Sequence, residues 1–411
     1  MSGSLPTRSH RFCAIAAMFA TVLLALAACT TRPPAAPPAP PVPAAPPPPV
    51  ASNPLDHDAP GFMRLPGQTQ GTPVRVGLIL PLSSGAAPTR NLAQSMLKAA
   101  QLAMFDSGNR DLLLMVGDEG NGGARAADAA RKLLAQGAEV IVGPLFGPSV
   151  AAVAPIARDR AVPVLAFSTE RGVAGGGAYL ISFLPRGEIA RVVSYAAQRG
   201  HKKFAAVIPQ NAYGDVVAGA FAEAVRAAKG QITTVARFAP RGDVTGPAKA
   251  VAASGADAVL IAQGGPQAVQ IASALRAASP NKIQLLGTGL WDGPALQKEP
   301  VLQGSWYGAP APKADNAFAT KYRATFGSAP ANLASLSYDA ISLVALLAKG
   351  VPYHRFTPAA LTDPNGFTGV DGIFRLDPDG TSQRGLGVLE MTPLGPVVIS
   401  PAPATFQNKN S

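Results

Sequence analysis

From about residue 73 to residue 405, short apolar runs alternate with longer stretches whose apolar positions recur every three or four residues. The runs at 74–80, 112–116, 139–142 and 162–167 are apolar on both faces and short, which predicts strands covered on each side. Between them the spacing predicts helices over 91–106, 124–136 and 149–158. In the first of these, Leu92, Met96, Ala99, Leu102 and Ala103 share one stripe, and Gly137 is placed to stop the second. The rhythm restarts after Pro185. Helices are predicted over 188–199, 214–229, near 246–254 and over 266–278, with strands over 203–208, 232–238, 258–262 and 283–286. Buried strands alternating with helices predict an α/β fold of parallel, doubly wound sheets. A body of ~330 residues exceeds one comfortable core, so two lobes are expected, one before Pro185 and one after it.

The first 50 residues follow a different pattern. Arg8 and Arg11 precede an apolar stretch over 12–27, too short to span a bilayer and about right for a secretory core segment. Leu26-Ala27-Ala28-Cys29 then resembles the lipobox of bacterial lipoproteins. That resemblance implies a signal peptide over 1–28, a lipidated Cys29 and a lipid-anchored extracytoplasmic protein. Thr30, rather than Asp, after the cysteine implies outer-membrane delivery. Eleven prolines lie between Pro33 and Pro49. Such a sequence builds no core and favours polyproline II, so 29–72 is expected to be a tether, reaching roughly 100 Å if extended.

Composition narrows the chemistry. The only cysteines are Cys13 and Cys29, so the expected folded part has no disulfide and no thiol chemistry. Of four histidines, only His201 and His354 fall in it, which leaves no metal-ligand cluster; no metal and no cofactor are expected. The formal net charge of +11 suggests anionic envelope partners. No dense basic run with interleaved aromatics occurs, so nucleic acid is not an expected partner.

Val74-Arg75-Val76-Gly77-Leu78-Ile79-Leu80-Pro81-Leu82-Ser83 resembles the opening strand and loop of type I periplasmic binding proteins of the leucine-binding kind. The likeness continues through Gly117-Asp118, the stretch from Ala138 to Pro144, Ser168-Thr169, Asn211-Ala212-Tyr213-Gly214 and the Phe367-Thr368-Gly369-Val370-Asp371-Gly372 hairpin. Gly143-Pro144-Leu145-Phe146 and Ala166-Phe167-Ser168-Thr169 resemble one branch, the penicillin-binding protein activators, which are envelope lipoproteins that stimulate peptidoglycan synthases. The resemblance implies two hinged lobes and a ligand cleft between them. Lobe 1 is expected to take about 73–184 and 308–375, lobe 2 about 185–307 and 376–405, with a tail over 406–411.

Candidate cleft residues follow from loops at the carboxyl ends of strands. Ser83 and Ser84 precede a helix, Ser168 and Thr169 end a strand, and Tyr213 opens a lobe-2 helix. Each hydroxyl suits a carbonyl or anion, or else a simple cap. Phe146, Trp291 and Trp306 are candidate walls, although such rings more often lie in the core. Gly287-Thr288-Gly289-Leu290 lacks the glutamate that commonly clamps an amino-acid ammonium in the family. Asp292 and Glu170 are the substitutes to consider.

Enzyme readings find little. Ser95-Met96-Leu97-Lys98 has the S-x-x-K form, but lies mid-helix with no K-T-G partner in the chain. The expected function is therefore a non-catalytic lipoprotein that activates a peptidoglycan synthase by protein contact. The alternative is the solute-binding lipoprotein of an ABC importer, with an ABC permease as partner and a small polar ligand in the cleft.

Overall fold

The computed structural model describes residues 61–67, 72–240, 242–279, 283–311, 317–352 and 354–406. The expected signal peptide, Cys29, the proline run and residues 407–411 lie outside these. Two sheets organise the described chain.

Sheet one begins with β1 (Phe62–Arg64), followed by β2 (Val74–Leu80), α1 (Ala87–Ser107), β3 (Leu112–Asp118) and α2 (Gly123–Ala135). It continues with β4 (Val140–Val142), α3 (Gly147–Arg158), β5 (Val164–Ala166) and β6 (Ala178–Leu180). The strand order is β1-β3-β2-β4-β5-β6. All pairs are parallel except β1 with β3. The β2–β3 register runs from Val74 opposite Leu112 to Leu80 opposite Asp118. β1 corrects the expected tether. Phe62 and Met63 pack on opposite faces of sheet one and Leu65 is buried, so the folded body starts by Phe62, within 29–72.

The chain then crosses to sheet two through α4 (Pro185–Gln198), β7 (Lys203–Pro209), α5 (Ala212–Ala227), β8 (Gln231–Phe238), α6 (Thr245–Ala252) and β9 (Ala258–Ile261). α7 (Gly265–Ala278), β10 (Gln284–Gly287), a 3₁₀ turn (Gly289–Trp291), α8 (Pro294–Gln297) and β11 (Trp306–Ala309) follow. A return to lobe 1 places α9 (Ala317–Phe326), α10 (Ala334–Leu347), α11 (Pro358–Leu361) and a small sheet of β12 (Phe367–Gly369), β13 (Gly372–Leu376) and β14 (Ser382–Arg384). A last crossing adds β15 (Gly387–Thr392) and β16 (Gly395–Ser400), giving the order β16-β15-β11-β10-β9-β7-β8. β8, β7, β9, β10 and β11 are mutually parallel, whereas β15 and β16 join antiparallel.

Helices cover both faces of each sheet, as the two-sided apolar strands require. α1 and α10 pack on one face of sheet one, α2 and α3 on the other. α4 and α5 cover one face of sheet two, α6 and α7 the other. The crossing points differ from those expected. β11 pairs along its whole length with β15, so it belongs to lobe 2 undivided at 307. Phe374 and Leu376 pack into the lobe-1 core, which moves the final crossing from 375 to Gly385-Leu386. Among the described residues no helix is long and apolar enough to cross a membrane.

Candidate functional site

The loops at the carboxyl ends of β2, β4 and β5 carry most of the residues singled out in the sequence, and their polar groups are bound within the chain. The Ser83 N–H donates to Asp118 Oδ1 at 3.1 Å, and the Gly85 N–H to Asn121 Oδ1 at 2.7 Å. Ser84 is buried, and its Oγ accepts from the Ala86 N–H. Ser168 is buried, with Oγ accepting from the Glu170 N–H at 3.1 Å. Phe146 precedes α3 and is exposed, outside the cleft wall. Its N–H and that of Leu145 donate to the two oxygens of the fully buried Glu119 carboxylate, at 3.0 and 2.9 Å. Burial raises the Glu119 pKa against the effect of these bonds. In this structure the Ser83 and Phe146 N–H groups and the Ser84 and Ser168 hydroxyls thus serve local turns and the start of α3, and none of the four is among the residues lining the cleft described next.

Trp291 also needs correction. It is fully buried in the lobe-2 core, where its indole N–H donates to the Gln263 carbonyl at 2.9 Å. Trp306 packs edge-on against Tyr195 in the same lobe. Ser95 of the S-x-x-K stretch is equally structural. Its Oγ lies 2.9 Å from the Tyr322 hydroxyl and accepts from the Ala331 N–H.

The cleft itself, of about 770 Å³, opens between the lobes. Lobe 1 contributes Thr169, Phe183, Phe318, the 329–333 loop, Val370 and Asp371; lobe 2 contributes Glu188, Tyr213, Gly289, Leu290 and Asp292. Of the residues singled out for the cleft, Thr169 and Tyr213 lie here. Asp292, one of the two substitutes considered for the ammonium clamp, lies here as well. Glu170, the other, packs instead against Gly147, at the start of α3.

Glu188 is the most constrained cleft side chain. It sits in the first turn of α4, and only 7 % of it is exposed. Oε2 accepts from the Gly289 N–H at 2.9 Å, while no described residue donates to Oε1. Glycine makes this seat possible. A side-chain carbon at Gly289 would stand 2.5 Å from Oε1, and one at Gly308 2.4 Å from the Glu188 carbonyl oxygen. Burial pushes the carboxyl up to about 7; the Gly289 bond opposes this and Asp292 adds to it. Tyr213 faces the same space, 3.4 Å from the Thr288 hydroxyl. Burial, with the nearby Glu188, raises its phenol to about 12, so it stays a neutral donor.

Asp292 opens to the cleft and receives the Tyr307 hydroxyl at 3.4 Å. Its pKa rises through desolvation, with Asp371 adding to the rise. Asp371 Oδ2 is enclosed without a hydrogen-bond donor among the described residues. Behind it, Asp339 is buried against Arg384 at 3.1 Å and accepts from the Val370 N–H at 2.8 Å. Burial lifts Asp339 to about 6 in spite of Arg384. Exposed Arg323 of α9 is the one cation on this wall among the described residues. Sequence reasoning missed Glu188 and Asp371. Glu188 reads as an ordinary acidic residue of a helix's first turn, and Asp371 as a hairpin turn residue.

The model of the family described as periplasmic binding protein matches residues 73–392. No curated protein matches the chain. Among solved structures, one described as a branched-chain amino acid ABC transporter from Rhodospirillum rubrum has a TM-score of 0.71 at 18 % identity, covering 80 % of this chain and 100 % of its own. A branched-chain amino acid ABC transporter periplasmic ligand-binding protein from Burkholderia xenovorans LB400 gives 0.66 at 20 % identity, over 79 % of this chain and 94 % of that one. A solute-binding protein of an ABC transporter from Rhodopseudomonas palustris BisB5, in complex with 3,4-dihydroxybenzoic acid, gives 0.62 at 19 %, over 81 % and 97 %. Identities this low establish a shared fold.

Proposed function

Since the chain belongs to the periplasmic binding protein family, we propose that it is an extracytoplasmic solute receptor whose two lobes close on a small molecule and present it to an ABC permease. The observation that carries this reading is the cleft. Charged and aromatic side chains from both lobes converge on one space, and two carboxylate oxygens there, Glu188 Oε1 and Asp371 Oδ2, have no donor among the described residues. The sequence argument for a synthase activator rested on the branch resemblance, the tether, the residue after Cys29 and an incomplete ammonium clamp. The acids Glu188, Asp292 and Asp371 in the cleft weaken the last of these. Closure on a ligand requires only that the ligand bind the closed state better.

The anchor belongs to the same reading. Cys29 carries the lipid and residues 30–60 form the leash, which leaves the receptor in the periplasm with outer-membrane sorting read from Thr30. Substituting Cys29→Ser is expected to move the protein from the membrane to the soluble envelope fraction.

Thermal melts against amino acids, aromatic acids, amines, short peptides and muropeptides test the receptor reading. A ligand at ~100 times its dissociation constant adds about 2.7 kcal/mol, which a melt resolves. A flat panel together with co-purification of a peptidoglycan synthase would replace it with the activator reading.

A further inference from the structure

Resting on the receptor reading, we infer that the cleft takes an organic cation, a primary amine or guanidinium without an obligatory carboxylate. Two independent features carry this. The first is what the lobe-1 loops can still offer an anion. The N–H groups of Ser83 and Gly85 are held by Asp118 and Asn121, those of Leu145 and Phe146 by Glu119, and that of Glu170 by Ser168. Glu170 itself lies against Gly147, where a side-chain carbon would stand 2.2 Å from its carboxylate. The start of α3, where a helix dipole favours negative charge, is thus flanked by two carboxylates of the chain itself. An incoming carboxylate finds those donors taken and like charges beside them.

The second feature is the cleft's own charge. Among the described residues, Glu188, Asp292 and Asp371 face it, against exposed Arg323 alone. Glu188 is more than nine-tenths buried, with Oε1 open to the cleft and without a donor among the described residues; Asp371 Oδ2 is enclosed and has none either. An enclosed carboxylate oxygen without a donor is costly, and a bound cation supplies what it lacks. Among the described residues no three such groups stand close enough to share a metal ion. The rings of Tyr213 and Phe318 line the same space and supply faces for an organic cation, whereas that of Phe183 already carries the Arg384 guanidinium.

The experiment is calorimetric titration of the purified protein with putrescine, spermidine and agmatine, and in parallel with benzoate, 4-hydroxybenzoate and leucine. Saturable binding of at least one amine or guanidine, weakened about tenfold or more in Asp371→Asn and by raised salt, is the expected result. Asp292→Asn is read in the same way if the first variant does not fold. Binding of a benzoate or of leucine with no response to the cations overturns the cation inference and leaves the receptor reading standing. No response to either set, with melts equally flat, overturns both.

Discussion

Glu188→Gln separates the electrostatics of the cleft from its shape. Glutamine is nearly isosteric, and its carbonyl oxygen keeps the acceptor for the Gly289 N–H. What changes is the charge. The folded-state pKa of Glu188 is about 7, against an ordinary value of 4.5. A group raised in this way supports the fold fully below the unfolded value and loses that support as pH rises through the folded one. At 1.36 kcal/mol per unit, the difference of about 2.5 units is worth roughly 3 kcal/mol at pH 8.5 and close to nothing at pH 4.5. The variant is therefore expected to match the parent at pH 4.5 and to exceed it by about 3 kcal/mol at pH 8.5. Urea unfolding of both proteins at half-unit pH steps measures this, and taking the difference at each pH cancels the other titrating groups. A pH-independent difference, or a parent that gains on the variant between pH 5 and 8, would refute a desolvated Glu188.

Removal of the buried partner of Asp339 by Arg384→Met is expected to cost about 3–5 kcal/mol at pH 8, since it strands a carboxylate with almost no exposure. That loss should shrink in acid, where Asp339 protonates, and chemical denaturation at pH 5 and 8 checks it. Trp291→Ala is expected to cost about 3–5 kcal/mol in the same assay by opening a cavity in the lobe-2 core. A change in ligand affinity with unchanged stability would instead return Trp291 to the cleft wall.

The sheets were legible because their strands are covered on both faces. Runs such as Val74–Leu80 admit no other reading once helical stretches separate them. Phe62–Arg64 was not legible. Three residues show no period, and their strand exists only because β3 offers an open edge. The crossings at Ala309 and Leu386 also leave no mark, because a chain changes lobe without changing periodicity. Tyr213 and Thr169 reached the cleft as expected from their positions at helix and strand ends. The acids did not declare themselves. Glu188 becomes a cleft residue only through Gly289, 101 positions away, and Gly308, which brings the backbone of β11 against α4. Ser83 and Ser168 had the right place along the chain, but neighbouring carboxylates, amides and backbone groups had already claimed those loops.

Cation binding and the titration of Glu188 must be coupled. Asp292, Asp371, Tyr213 and Arg323 face the same space from four other segments, and Asp292 already contributes to the raised pKa of Glu188. A cation placed among them favours the ionised carboxylate and lowers that pKa, so binding expels a proton wherever Glu188 is still protonated. With a pKa of about 7 in the empty cleft, Glu188 is mostly neutral at pH 6 and mostly charged at pH 8. If only the charged form holds the cation, affinity is expected to rise about tenfold across that interval. Calorimetry in two buffers of different ionisation enthalpy should show close to one proton released per cation at pH 6 and few at pH 8. In Glu188→Gln the affinity is expected to be lower at pH 8 and nearly level with pH. An unmodified protein whose cation affinity is flat between pH 6 and 8 would show that Glu188 does not touch the bound charge, and the cation would then rest on Asp292 and Asp371 alone.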